Sequence, residues 1–368
     1  MKFVLHSYYR IPIILIFYLI SIHFVYSSIT IDTTLKRKKL IVLPVIYYTP
    51  DTRWGFGAAG VFSFNFKSDT LNARYSNISF GFAYTQNKQL SIYIPYQLYL
   101  LNRKVWIYGE IGFYNYIYSF YGIGNNSQNL LQEKYSVQFP RIRIAPLIKM
   151  MKNHYLGMRF SRDQFKYLKY DSSGQLIKHL IIGSKSGTSS NLGIIYNYDS
   201  RDIPLYPSKG ILFESYIYVE NKWLGSDYQF SKISLDFSQY MNLKKNLILA
   251  TNILNQISYG DVPFHQMPSI GGPKKLRGYI DGRYRDKMLL LLQLELRLKL
   301  NKYLGTVVFC GIGEVYPNFD ELKFKYVQPN LGIGMRIVLD QKQKYNLRLD
   351  YGFGKNSNGF YLTLGEAF

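Results

Sequence analysis

The stretch GGPKKLRGYIDGRYRDKMLLLLQLELRLKL, residues 271–300, carries two distinct patterns. Its second half alternates with period two: Leu292, Leu294, Leu296, Leu298 and Leu300 fall on one face, and Gln293, Glu295, Arg297 and Lys299 on the other. An extended strand with one apolar and one polar side gives that pattern. Its first half, 271–286, lies in the longest interval between strand-like runs, residues 260–286, and is dense in Gly, Arg and Tyr. A long connection without secondary structure of its own is uncommon unless it is functional. Gly271, Gly272 and Gly278 also open backbone conformations closed to other residues. The expectation is a folded loop with a docking site.

Alternation by itself fits two folds. A soluble sandwich would put the leucine face in a core and the charged face in water, whereas a transmembrane barrel would put leucines in lipid and charges in a wet lumen. Number and length decide between them. Trp54, Phe56, Ala58, Gly60, Phe62, Phe64 and Phe66 oppose Gly55, Gly57, Ala59, Ser63 and Asn65, and Ile78, Phe80, Phe82 and Tyr84 oppose Asn77, Ser79, Gly81 and Thr85. Such segments, about the ten residues a tilted strand needs to cross a bilayer, recur to the last residue. Beyond the N-terminal segment no apolar run is long enough for a membrane helix, so a membrane-embedded chain must be a closed barrel. The 36 Tyr also suit interfacial aromatic girdles.

The expected fold is therefore all-β, a sixteen-stranded antiparallel transmembrane β-barrel. Its strands are placed at 40–48, 54–66, 74–86, 89–100, 105–120, 135–150, 154–170, 189–199, 210–219, 230–241, 247–259, 287–300, 306–316, 326–338, 345–354 and 359–368. Pro44, which cannot donate to a ladder, marks the first as an edge or weakly paired strand. An even count returns both termini to one side. The connections at that side are mostly short and those at the other, 121–134, 171–188, 220–229 and 260–286, are longer, which broadly matches the outer-membrane barrel rule; the tight connection at 87–88 and the longer one at 200–209 run against the trend.

The N-terminus reads as a targeting segment. Lys2 and Arg10 supply a positive n-region, residues 11–24 are apolar apart from Pro12, Ser21 and His23, and Val25-Tyr26-Ser27 points to cleavage after Ser27. The expected organisation is a signal peptide at 1–27, a short periplasmic leader at 28–39 holding the basic run Lys36, Arg37, Lys38 and Lys39, and a barrel at 40–368 with loop 260–286 folded inward. Loss of Lys2 and Arg10 takes the formal charge of +22 to +20. Those charges are spread over every turn, which fits a barrel beside anionic lipopolysaccharide and no nucleic-acid partner. One cysteine, Cys310, excludes a disulfide framework. The three histidines beyond the leader, His154, His179 and His265, lack metal-ligand spacing and a nucleophile elbow, so no cofactor, metal or catalytic residue is expected.

Two motifs add a resemblance. Residues 271–279, with Gly271, Gly272, Leu276, Arg277, Gly278 and Tyr279, continuing to Arg283, Tyr284, Arg285 and Asp286, resemble the RGF/RGY loop of the BamA/TamA outer-membrane assembly-factor superfamily, the bacterial surface antigen barrels. Asp199, Arg201 and Asp202 with Pro207 and Gly210 resemble that family's YDxRD…PxxG turn between the eighth and ninth strands, a periplasmic turn, where the strand count places it. The terminal Phe368 resembles the barrel signal read during assembly. The resemblance implies that Arg277 folds into the lumen and pairs with an inner-wall acid, for which Glu295 is the candidate. The family usually adds an aspartate on the next strand; this sequence has Gly311 there, which leaves the second acidic partner open.

The resemblance also implies a non-enzymatic role in assembly, insertion or export of outer-membrane proteins, through a seam between first and last strands that accepts a client strand. About a dozen residues separate Ser27 from the first strand, too few for the family's periplasmic POTRA domains. The expectation is thus a POTRA-less member, with outer-membrane lipid and lipopolysaccharide, client barrels and a separate periplasmic factor as partners. The alternative is a passive channel or surface antigen that keeps the barrel without assembly activity.

Overall fold

The computed structural model describes residues 38–49, 53–66, 74–125, 132–341 and 344–368. The expected signal peptide and nearly all of the leader lie outside these residues. The strands are β1 (Lys38–Thr49), β2 (Arg53–Phe64), β3 (Ser76–Thr85), β4 (Leu90–Leu100), β5 (Val105–Phe120), β6 (Glu133–Met151), β7 (His154–Tyr170), β8 (Gly187–Asp199), β9 (Gly210–Glu220), β10 (Phe230–Lys244), β11 (Leu247–Gly260), β12 (Ser269–Ile270), β13 (Tyr284–Arg285), β14 (Met288–Lys299), β15 (Leu304–Tyr316), β16 (Gln328–Asp340), β17 (Tyr345–Gly354) and β18 (Ser357–Leu364). β12 and β13 form a small hairpin inside the long loop; the others make one antiparallel sheet of sixteen strands ordered from β1 to β18.

Burial sorts the two faces in the way a lipid-facing barrel demands. On β14, Leu294, Leu296 and Leu298 are 36%, 41% and 38% exposed, while Glu295 and Arg297 between them are fully buried. Apolar side chains on the outside and charges on the inside invert the soluble arrangement, and hydrocarbon is the solvent that stabilises it. Among the described residues no helix is long and apolar enough to cross a membrane.

Each of the sixteen expected segments corresponds to a sheet strand. The boundaries differ most at the last one: β18 ends at Leu364, not 368, because Gly365 takes a left-handed φ of +80° and turns the remaining residues off the sheet. The interior is filled in sections. One cluster joins Leu276, Tyr279 and Tyr284 of the long loop to Leu254, Leu289, Leu291 and Val315 of the wall. Another sets Phe264 of that loop among Phe120, Tyr135, Val137, Phe139 and Phe165.

The sheet's two ends behave differently from its interior. Among the described residues no register pairs β1 with β18. They approach through side chains instead: Ile41 and Val61 cluster with Tyr345, with Leu43, Leu205 and Leu364 packed around them. Lys39 reaches Asp340 at 2.7 Å. Pro44 sits mid-way along β1, opposite Ala58, on the end strand where its missing N–H is tolerated.

Candidate functional site

The connection between β11 and β14 does not project outward. It folds back into the barrel, pinned by backbone bonds from Gly271 N–H to Lys275 O (2.8 Å) and from Gly272 N–H to Tyr279 O (3.0 Å). Leu276 donates its N–H to Gln293 Oε1 on β14 at 3.0 Å, which fixes the level at which the next residue enters the wall.

That next residue is Arg277, 1% exposed. Its Nη2 bonds Glu295 on β14 and its Nη1 bonds Asp350 on β17. Its guanidinium carbon lies 3.6 Å from the centroid of the Phe309 ring, so one cation bridges two strands over an aromatic face. A forked donor suits this position, because two carboxylates approach it in plane. The second acid therefore comes from β17. The position where it was left open, Gly311 on β15, lies against Leu276.

The network continues along the inner wall. Arg297 Nε donates to Glu295 Oε2 at 2.7 Å, Arg336 Nη1 to Asp350 Oδ1 at 2.6 Å and Arg336 Nε to Glu366 Oε2 at 2.8 Å. Arg348 Nη2 ties back to the loop at Pro273 O, 2.9 Å. Charges this buried hold their ionised form only with partners in place, and removing one partner of such a pair costs about 3–5 kcal/mol.

Past the arginine the loop runs against β16–β18. Gly278 N–H donates to Tyr361 Oη at 2.9 Å, Ser357 Oγ to Gly278 O at 2.6 Å, and Tyr279 Oη to Pro329 O at 2.7 Å. Gly278 has φ +116°, and a Cβ there would stand 2.7 Å from the Phe353 carbonyl carbon. No other residue permits this approach.

The turn between β8 and β9 is a second ordered centre. Asp199 at the end of β8 binds Arg201 through Nε (3.0 Å) and Nη2 (3.1 Å) and also takes Arg74 from the approach to β3. Asp202 accepts the Ser208 and Lys209 amides at 2.9 and 3.3 Å and the Ser208 hydroxyl. Burial raises the Asp202 carboxyl, but these bonds outweigh it and hold it below its ordinary value. Pro207 is buried, and Gly210 starts β9 at φ +107°. The turn reaches inward: the Arg297 guanidinium lies 5.9 Å from the Tyr206 ring and 5.5 Å from the Phe368 ring. Phe368, expected on the last strand, thus sits inside the lumen, where its backbone oxygen accepts Arg297 Nη2 at 3.2 Å.

Sequence reasoning favours the lumen over lipid phosphates for Arg141 and Arg143, because barrel interiors are polar, and both face it, Arg141 Nε meeting Asp163 Oδ1 at 3.0 Å. It missed Asp350, Arg74 and Arg336, whose partners lie 14 to 125 positions away in the sequence. It also missed the docking of Phe264 and His265, whose only signal was an apolar residue in a polar loop. No cluster of metal-ligating residues occurs among the described residues.

An inward loop latched by arginine on a sixteen-stranded sheet defines the molecule, and the Omp85 superfamily domain matches residues 52–368. The chain belongs to the Omp85 superfamily. Solved Omp85 structures share its fold: BamA from Haemophilus ducreyi lacking POTRA domains 1–3, with TM-score 0.53 and 14% identity, covers 88% of this chain and is itself 74% covered. CdiB from Acinetobacter baumannii gives TM-score 0.54 at 14% identity, with 89% of this chain and 60% of that chain covered. CdiB from Escherichia coli gives 0.54 at 11% identity, with 89% and 61% covered. The chain therefore spans about three-fifths of either CdiB. No curated protein matches it by sequence. It is an Omp85-family outer-membrane β-barrel.

Proposed function

We propose that this barrel takes part in assembly, insertion or export of outer-membrane proteins, by offering a client strand an edge between β1 and β18. One observation carries the reading: the sixteen-stranded sheet begins at β1 and ends at β18, with no register between them among the described residues. Unpaired backbone groups in hydrocarbon cost several kcal/mol each. An incoming strand that satisfies them gains what the seam lacks. Pro44 weakens the β1 edge further, and the seam's side-chain contacts can open without breaking a ladder.

Under this reading the latch of Arg277 on Glu295 and Asp350 keeps β14 and β17 in fixed relation while the seam works. The partners are outer-membrane lipid with lipopolysaccharide, client outer-membrane proteins and a periplasmic factor that delivers them. The chemistry is strand pairing without catalysis, and no cofactor enters. The loop lying across the lumen speaks against a passive channel.

Depletion combined with planar-bilayer recording tests the proposal. Loss of other heat-modifiable barrels on depletion, with little steady current from the purified protein, supports it. A steady open-pore current with unchanged levels of other barrels overturns it in favour of a channel.

A further inference from the structure

The lipid-facing wall carries a cleft of about 410 Å³ at the end of the barrel that bears the long loops. Its lining includes Ile117 of β5, Lys134 and Ser136 of β6, Lys169 of β7, and Asp171 and Ser172 just beyond it. Tyr135 and Tyr170, paired with each other, complete the lining from the lumenal side, and register puts the other strand residues on the outer side. Tyr118 and Tyr135 pair with each other and belong to the lumenal cluster around Phe264. The intervening positions Ile117 and Ser136, also paired, therefore face lipid.

Lys169 joins them through a defect in the ladder. Val137 pairs with Tyr167 but Ser136 pairs with Lys169, leaving Leu168 as an extra residue, 48% exposed. In an unbroken strand Tyr167 and Lys169 would share a face, and Lys169 would point into the lumen with Tyr167. The bulge turns it to the outer wall, a common use of bulges.

The same wall continues downward in a graded way. Lys166 stands opposite Gln138 and Arg162 opposite Ile142, followed by Phe160 opposite Ile144. The basic side chains Lys134, Arg162, Lys166 and Lys169 are all exposed and stand directly above the apolar band. Asp171 is the carboxylate in the lining, and it is engaged by the Ser173 amide and hydroxyl at 3.1 and 2.9 Å. The β9–β10 loop folds over this edge, with Arg162 Nη1 at 3.5 Å from Leu224 O and Trp223 67% exposed beside it. Aromatic and basic side chains at this level are what an anionic membrane interface selects.

We propose that this cleft binds the phosphorylated headgroup of an outer-leaflet glycolipid, with Lys134 and Lys169 on its phosphate, Ser136 and Ser172 on its sugar hydroxyls, and Ile117 against an acyl chain. The proposal rests on the outer-membrane placement with the long loops outside. It does not require assembly activity.

The test uses the purified chain in phosphatidylcholine nanodiscs doped with a hexaacylated, bisphosphorylated glucosamine-disaccharide lipid. Glycolipid retained per barrel is read by native mass spectrometry, and folding is checked by heat-modifiable migration. Wild-type protein retains the bisphosphorylated lipid. The double variant Lys134→Gln/Lys169→Gln folds normally and holds it about thirtyfold more weakly, as expected for two interfacial lysines. The control Lys244→Gln/Lys245→Gln, at the opposite end, retains it as wild type does. Equal retention by the Lys134/Lys169 variant, equal retention of the dephosphorylated lipid, equal loss in the control, or displacement by inorganic phosphate alone each overturns the proposal. Client assembly is not part of the readout, so a failure here leaves the seam reading untouched, and a failed seam leaves this site untouched.

Discussion

Leu276 occupies the space that a side chain at position 311 would need. A Cβ on Gly311 would lie 2.8 Å from Leu276 Cδ2, 2.8 Å from the Leu292 carbonyl oxygen and 2.9 Å from Asn330 Oδ1. An aspartate there would collide with the loop it was meant to hold, and Asp350 provides the second carboxylate from β17.

Gly311→Ala is therefore expected to destabilise the folded barrel by about 1–3 kcal/mol through overpacking. Urea titration followed by heat-modifiable migration in gels measures it. Adding Leu276→Ala should recover part of the loss, since one of the three contacts disappears; strictly additive losses would contradict the shared-space explanation.

Arg277→Ala leaves Glu295 and Asp350 buried without their bridge and should cost about 3–5 kcal/mol. Glu295→Gln and Asp350→Asn should each lose a large part of that, and combining either with Arg277→Ala should add little. Arg277→Lys should not rescue, because an ammonium cannot span two carboxylates in plane. The same urea titrations test all three statements.

His265 gives the fold a specific acid sensitivity. Its ring lies 4.0 Å from Phe165 and 5.5 Å from Phe264, and burial pushes its pKa down to about 3. An unfolded histidine titrates near 6.5. Between those values the unfolded state binds the proton that the folded state refuses, so stability falls as pH drops from about 6.5 toward 3. The denaturation midpoint of the wild type should therefore fall more steeply, or rise less, between pH 6 and 5 than that of His265→Phe. An unchanged slope in the variant would contradict this assignment.

The β8–β9 turn is expected to steady the seam. Leu205 packs against the cluster formed by Ile41, Val61 and Tyr345, close to Leu364. Leu205→Ala should cost about 2 kcal/mol and speed amide exchange in β1 and β18 more than in β14 and β15. Uniform acceleration across the sheet would argue against a local role.

The sheet was legible in the sequence because a one-sided strand must alternate over a bilayer's thickness, as β14 does from Leu292 onward. The pattern fades where both faces are apolar. Leu289 and Leu291 lie inside a run of leucines and turn inward to receive Leu276 and Tyr279, which periodicity cannot signal. Arg277 was legible as a residue from its motif, and so was Glu295 as a candidate partner. Asp350, 73 positions away, was not, since pairing across a barrel depends on curvature and loop depth. The bulge at Leu168 was invisible for a related reason: one inserted residue changes the face of Lys169 without changing composition.

The most direct test of the seam is to lock it. In a Cys310→Ser background, cysteines introduced at Leu43 on β1 and Leu364 on β18 are joined by a short reducible thiol cross-linker, and the abundance of other heat-modifiable barrels is followed in cells depleted of the wild-type chain. The account predicts that the locked barrel fails to sustain those proteins and that reduction restores them. Sustained levels with the seam fully cross-linked would contradict it.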